Sequence, residues 1–126
     1  MIKIAVCDDV QQDQQLLVSL IRELDPFDGQ FELDQFSSGE ALLASKKRPY
    51  DMVVLDVQMP EMSGYRTAQL LRETDSKTVL AFLTGVAAPT VEVFRVTPFR
   101  YLMKQMGREE LMQELTACFH EVERAN

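Results

Sequence analysis

The chain has 126 residues, 46% hydrophobic and 26% charged, with five glycines and five prolines, which suits one globular domain over residues 1–126. Its net charge of −7 argues against nucleic-acid binding by the module itself, because phosphate contacts need clustered Lys and Arg. No apolar run reaches membrane-span length, and Cys7 and Cys118 sit in apolar stretches that suggest buried free thiols, so a cytoplasmic protein is expected.

In chain order, residues 2–7 read as a buried strand that runs into Asp8-Asp9. Leu16, Leu17, Leu20, Ile21 and Leu24 recur at helical spacing over 12–24, and Asp25 to Gly29 breaks that helix. Phe31 to Phe36 alternates partly, as a strand near a sheet edge does. Ser37 and Glu40 carry the Ser-x-x-Glu spacing of a capping box before a helix that stops ahead of Pro49. The basic cluster Lys46-Lys47-Arg48 reads as a solvated helix end.

Residues 51–55 are continuously apolar, as in a parallel strand covered on both faces. Met59 to Gly64 is a loop, and 65–73 a helix with Tyr65, Ala68, Leu71 and Arg72 along one side. Thr78 to Leu83 and Phe99 to Met103 are the last two strands, with room for about two helical turns between Pro89 and Val96. Leu111, Leu115, Cys118, Phe119 and Val122 mark a final helix, on which His120 is expected to be solvated. Five strands alternating with five helices give an α/β fold, flavodoxin-like and doubly wound. The sheet order 2-1-3-4-5 makes strands one and three neighbours.

That order gathers Asp8, Asp9 and Asp56 at one sheet edge, with Thr84 ending strand four and Lys104 ending strand five. Clustered carboxylates repel one another unless a cation accompanies them, and hard oxygen ligands beside phosphate chemistry point to Mg²⁺. The bland alternative is that these acids merely cap helices. Asp56, central in the group, is placed to act as a nucleophile toward a phosphoryl group, as in aspartyl-phosphate chemistry. Mg²⁺, the Lys104 ammonium and the Thr84 hydroxyl would each hold one phosphoryl oxygen. One such charge pair at ~4 Å and an effective dielectric of ~20 is worth about 4 kcal/mol before desolvation, enough to bias a two-state element.

Cys7-Asp8-Asp9, the run Leu55-Asp56-Val57-Gln58-Met59-Pro60-Glu61-Met62-Ser63-Gly64, Leu83-Thr84-Gly85 and Tyr101-Leu102-Met103-Lys104 together resemble the receiver domains of bacterial two-component response regulators. The resemblance covers essentially the whole chain. It implies that Asp56 accepts phosphate from a sensor histidine kinase, and that Asp9, Asp56 and the Gln58 carbonyl bind Mg²⁺ directly while Asp8 acts partly through water. It implies a switch pair in Thr84 and Tyr101, a supporting loop at Met59, Pro60 and Gly64, and room for the phosphoryl group at Gly85. Gln58 and Val86, flanking the site, would gate water. It further implies a homodimer surface on strand 4, helix 4 and strand 5, with no membrane role and no enzyme activity on a separate substrate.

The stretch Phe94 to Lys104 is also similar to receivers that precede LytTR-type DNA-binding domains, so DNA would be reached only through a separate effector domain. One departure stands out: the family's cis proline after the lysine is replaced by Gln105, whose peptide bond should be trans. That could aim Lys104 differently. Competing readings are a pseudo-receiver that no longer uses phosphate, a small aspartyl-phosphate phosphatase, and a flavodoxin-type carrier. The phosphatase wants an acid where Gln58 stands and a substrate cap for which there is no length. The carrier lacks its phosphate cradle at Asp8-Asp9-Val10-Gln11.

Overall fold

The computed structural model describes residues 1–85 and 91–126, with the side chains of Glu92 and Val93 set aside; Val86 and Pro89 lie outside the described residues. Five parallel strands form one sheet in the order β2-β1-β3-β4-β5: β1 Ile2–Cys7, β2 Phe31–Phe36, β3 Met52–Leu55, β4 Val79–Thr84 and β5 Arg100–Met103. The helices between them are α1 Gln11–Leu24, α2 Gly39–Leu43, α3 Gly64–Arg72, α4 Val91–Arg95 and α5 Arg108–Ala125. The expected doubly wound sheet and its strand order are therefore present.

The sheet separates two apolar layers, as alternation along each strand requires. Ile4, Val6, Met52, Val54, Ala81, Leu83 and Leu102 pack with α1 and α5, whereas Ala5, Cys7, Val53, Leu55, Leu80 and Phe82 pack with α2 and α3. The three central strands carry near-continuous Val, Leu and Ile because both faces are covered. β2, at an edge, is only partly buried, as its weaker pattern implied. Both cysteines are buried and free, and His120 is exposed.

Several local expectations are corrected. Leu16 is 56% exposed, and α1 buries Gln14, Leu17, Val18, Leu20 and Ile21 instead. The cap of α2 is Ser38, whose Oγ accepts from Ala41 N. Glu40 thus sits one position too early to complete the reciprocal box proposed from Ser37. Because α2 already ends at Leu43, the basic cluster is not a simple solvated cap. Arg48 does donate to Leu43 O, but its Nε pairs with the buried Asp75 at 2.9 Å and its Nη2 reaches Thr74. Lys47 reaches Asp34 on β2.

Candidate functional site

Register places the acids. Cys7 lies beside Leu55, so Asp8 and Asp56 are each the first residue past adjacent strands, and Asp56 N donates to Cys7 O at 3.0 Å. Thr84 pairs with Met103, which makes Lys104 the first residue past β5, and Lys104 N donates to Thr84 O at 2.9 Å. Asp8 continues the alternation of Ile4 and Val6, Asp56 that of Met52 and Val54, and Lys104 that of Leu102. All three side chains therefore emerge toward the α1/α5 layer and meet there.

Asp8 and Asp56 are buried and Asp9 is exposed; one carboxylate oxygen from each lies within 4.8 Å of the others. The Lys104 ammonium touches Asp8 Oδ2 at 3.0 Å, Asp56 Oδ2 at 3.3 Å and Asp13 Oδ2 at 2.8 Å. Asp8 Oδ1 accepts from Val10 N at 2.9 Å, a local Asx turn. Asp56 Oδ1 accepts from Gln58 N at 3.3 Å. The helix-capping alternative fails on geometry: α1 has Val10 at its N-cap with no side-chain cap, and α3 is capped by Ser63.

Burial raises the Asp8 carboxyl above its usual range, partly offset by the Val10 amide and Lys104, with Asp56 adding to the rise. Burial alone would lower the Lys104 ammonium, but its contacts with Asp13 and Asp8 and the charge of Asp56 more than offset it and hold it above its ordinary value. The amine thus stays charged over Asp56. The Gln105 departure does not divert it: the cis peptide among the described residues is Arg48–Pro49, and Lys104 still reaches both acids.

The loop after β3 fixes Asp56 from below. Gly64 N donates to Val57 O at 2.8 Å, and a Cβ on Gly64 would lie 2.0 Å from Asp56 O. Pro60 O accepts from Met62 N, and Glu61 adopts a φ of 66° to turn the chain back. Met59 is buried with its sulfur 3.7 Å from the Cys7 thiol, which ties the loop to the end of β1. Thr84 is fully buried, and a Cβ on Gly85 would meet nothing described within 4 Å.

Tyr101 lies on the opposite layer, its ring 6.0 Å from Phe82, which in turn meets Tyr65 edge-on at 5.5 Å. Burial, with the Tyr65 hydroxyl and Asp56 adding, pushes the Tyr101 phenol up. The structure thus brings Asp8, Asp9, Asp56 and Lys104 together, with Thr84 at the end of the neighbouring β4 and Tyr101 on the opposite layer of the sheet.

Sequence reasoning missed two residues, both on α1. Asp13 makes the shortest contact to Lys104. Gln14 Nε2 donates to Asp8 O and Phe36 O, both at 2.9 Å, and so ties the ends of β1 and β2 together. Gln14 was discoverable, since it falls three residues before Leu17 and seven before Ile21 on the buried stripe.

The donor set fits a hard divalent cation: three carboxylates with converging oxygens, and no sulfur or imidazole among them. Among the described residues no helix is long and apolar enough to cross a membrane.

The family described as "response regulator receiver domain" matches residues 4–116. Transcriptional regulatory protein NatR of Bacillus subtilis is 29% identical over 111 residues, covering 88% of this chain and 47% of that protein. Sensory transduction protein LytT of Bacillus anthracis is 25% identical over 115 residues, 91% of this chain and 46% of its own length. The chain thus spans about half the length of the curated relatives it matches. Among solved structures, response regulator protein TrrA from Thermotoga maritima in complex with Mg(2+)-BeF superimposes with a TM-score of 0.78 at 25% identity, covering 94% of this chain and 99% of that one.

Proposed function

Because this chain belongs to the response regulator receiver domain family, we propose that it is a phosphorylation-controlled switch in two-component signalling, with Asp56 as the phosphoacceptor. One observation carries the assignment: the buried Asp56 carboxylate lies at once in the three-acid group and 3.3 Å from the Lys104 amine. A carboxylate so placed has a cation site on one side and an ammonium on the other.

In the proposed reaction an Asp56 oxygen forms a bond to phosphorus as the bond from phosphorus to the donor breaks. The donor is a histidine kinase's phosphoimidazole or a small acyl phosphate. The bonding electrons leave with the imidazole or carboxylate. Asp8, Asp9, Asp56 and the Gln58 carbonyl would hold Mg²⁺, which supplies neutralising charge on the phosphoryl oxygens when bound. Lys104 donates to a second oxygen and Thr84 to a third, and Gly85 leaves room at the mouth. Tyr101, layered on Phe82 beside Tyr65, would report the change to the face formed by β4, α4 and β5. Val91 and Phe94 on α4 are exposed there, which supports a homodimer or partner surface.

The likeness to NatR supports control of transcription as the output, exerted through a separate DNA-binding domain, and the likeness to LytT supports a LytTR-type effector. Residues 1–126 act as one cytoplasmic regulatory module that turns over no separate substrate.

The test is incubation with acetyl phosphate and Mg²⁺, followed by intact-mass measurement. One phosphoryl group is expected on the native chain, none in Asp56→Asn, and none when a chelator removes the metal. Equal uptake by Asp56→Asn would overturn the assignment.

A further inference from the structure

Three acids share the Lys104 ammonium, and they are not equivalent. Asp8 and Asp56 belong to the group whose oxygens converge within 4.8 Å; Asp13 does not. Yet Asp13 makes the closest approach, 2.8 Å against 3.0 and 3.3 Å. An ammonium has three hydrogens, and here three carboxylates lie within 3.3 Å of it. When Asp8 and Asp56 give their lone pairs to a dication and a phosphoryl group, they become poorer partners for the amine. Asp13 remains.

We propose that Asp13 is a positioning residue that holds the Lys104 amine over Asp56 while the other two acids are engaged elsewhere. This rests on the aspartyl-phosphate reading above. Lys104 needs such a hold because its side chain is long and freely rotating. The turn that follows it, through Gln105 to Gly107, is anchored among the described backbone bonds by Lys104 N to Thr84 O, Met106 N to Met103 O and Leu111 N to Gly107 O, none of which holds the side chain. Asp13 can provide the hold because it stands on the first turn of α1, a helix fixed by buried Leu17, Leu20 and Ile21. Its carboxylate is thus presented from a rigid element across to the end of β5.

Both partners keep some solvent contact, with side chains 39% and 24% exposed, so the effect should be several-fold and not absolute. Asp13→Asn is expected to slow phosphorylation of Asp56 by acetyl phosphate about fivefold, and Asp13→Glu to recover most of the rate. In a Lys104→Ala background, Asp13→Asn should change the rate by less than about twofold, since there is no amine left to position.

A second readout is independent of phosphorylation. In the metal-free native chain the Lys104 ammonium should give a resolved, slowly exchanging ¹⁵N–¹H signal that broadens away in Asp13→Asn. An unchanged or faster rate in Asp13→Asn overturns the proposal, as does an equal loss in the Lys104→Ala background or an ammonium signal indifferent to residue 13. Native protein that takes up no phosphoryl group overturns the function reading and this inference together. Native protein that labels normally while Asp13→Asn does the same overturns this inference alone.

Discussion

Gly64 is where one methyl group should do most harm for its size. A Cβ there would lie 2.0 Å from Asp56 O and 2.8 Å from both Asp56 C and Val57 Cα, all of them backbone atoms that cannot swing aside. Restoring an ordinary contact of about 3.5 Å means moving the chain by about 1.5 Å at the residue that carries the chemistry. Two effects oppose each other in Gly64→Ala. Alanine gains up to about 1 kcal/mol of helix propensity over glycine, and less at the first position of α3 than in its interior. Overpacking costs about 1–3 kcal/mol, and the loop bond from Gly64 N to Val57 O is strained as well. The loss should win, with a net destabilisation of about 1–2 kcal/mol in urea unfolding. The functional effect should be larger, because displacing a reacting group by about 1 Å can cost on the order of 100-fold in rate. Initial rates of acetyl phosphate labelling, measured beside the unfolding curves, test both. A Gly64→Ala chain as stable as the native one and labelled at the native rate would refute the reasoning.

Arg72 donates to five backbone carbonyls, those of Val96, Asp75, Ser76, Thr78 and Thr97, and so clamps the start of β4 to the segment after α4. Arg72→Met should cost about 3 kcal/mol, seen as a lower urea midpoint at unchanged slope; an unmoved midpoint would count against the clamp. Burial pushes the Cys7 and Cys118 thiols up to about 12, so neither should react with iodoacetamide at pH 8 until the protein unfolds. Stoichiometric alkylation of the native chain would contradict that. Burial also raises the Asp8 carboxyl above its ordinary 3.8. Its contribution to stability is therefore full below pH 3.8 and lost as pH rises through the raised native value. Asp8→Asn should accordingly stabilise the metal-free protein at pH 7, with the gain fading toward acid pH, and thermal melts across pH would show it. Saturating Mg²⁺ should favour the native chain instead, because only that chain retains the full ligand set.

The strand-borne part of this protein was legible in the residues. Runs such as Met52-Val53-Val54-Leu55 and Val79 to Leu83 can be satisfied only by strands covered on both sides, and their alternation with amphipathic helices leaves few topologies. Once β1 and β3 are neighbours, residues just past their ends must be close, so Asp8 and Asp56 were fixed by run length alone. Lys104 followed by the same reasoning from β5, and its reach survives Gln105 because the position of its Cα is set by register and not by the turn that follows.

What the tertiary structure decided are the contacts of side chains arriving from other elements. Asp13 reads in sequence as an ordinary acid in a helix's first turn, Leu16 as core, and Arg72 as a residue along one side of its helix with no partners specified. Helical periodicity fixes which way a residue points only to within a turn's width, while burial is settled by how α1 and α3 rotate against the sheet. Long, flexible side chains such as Lys104 and Arg72 then choose among several partners by distances of a few tenths of an ångström. Local residue patterns do not encode differences that small; they appear only when the layers are packed together.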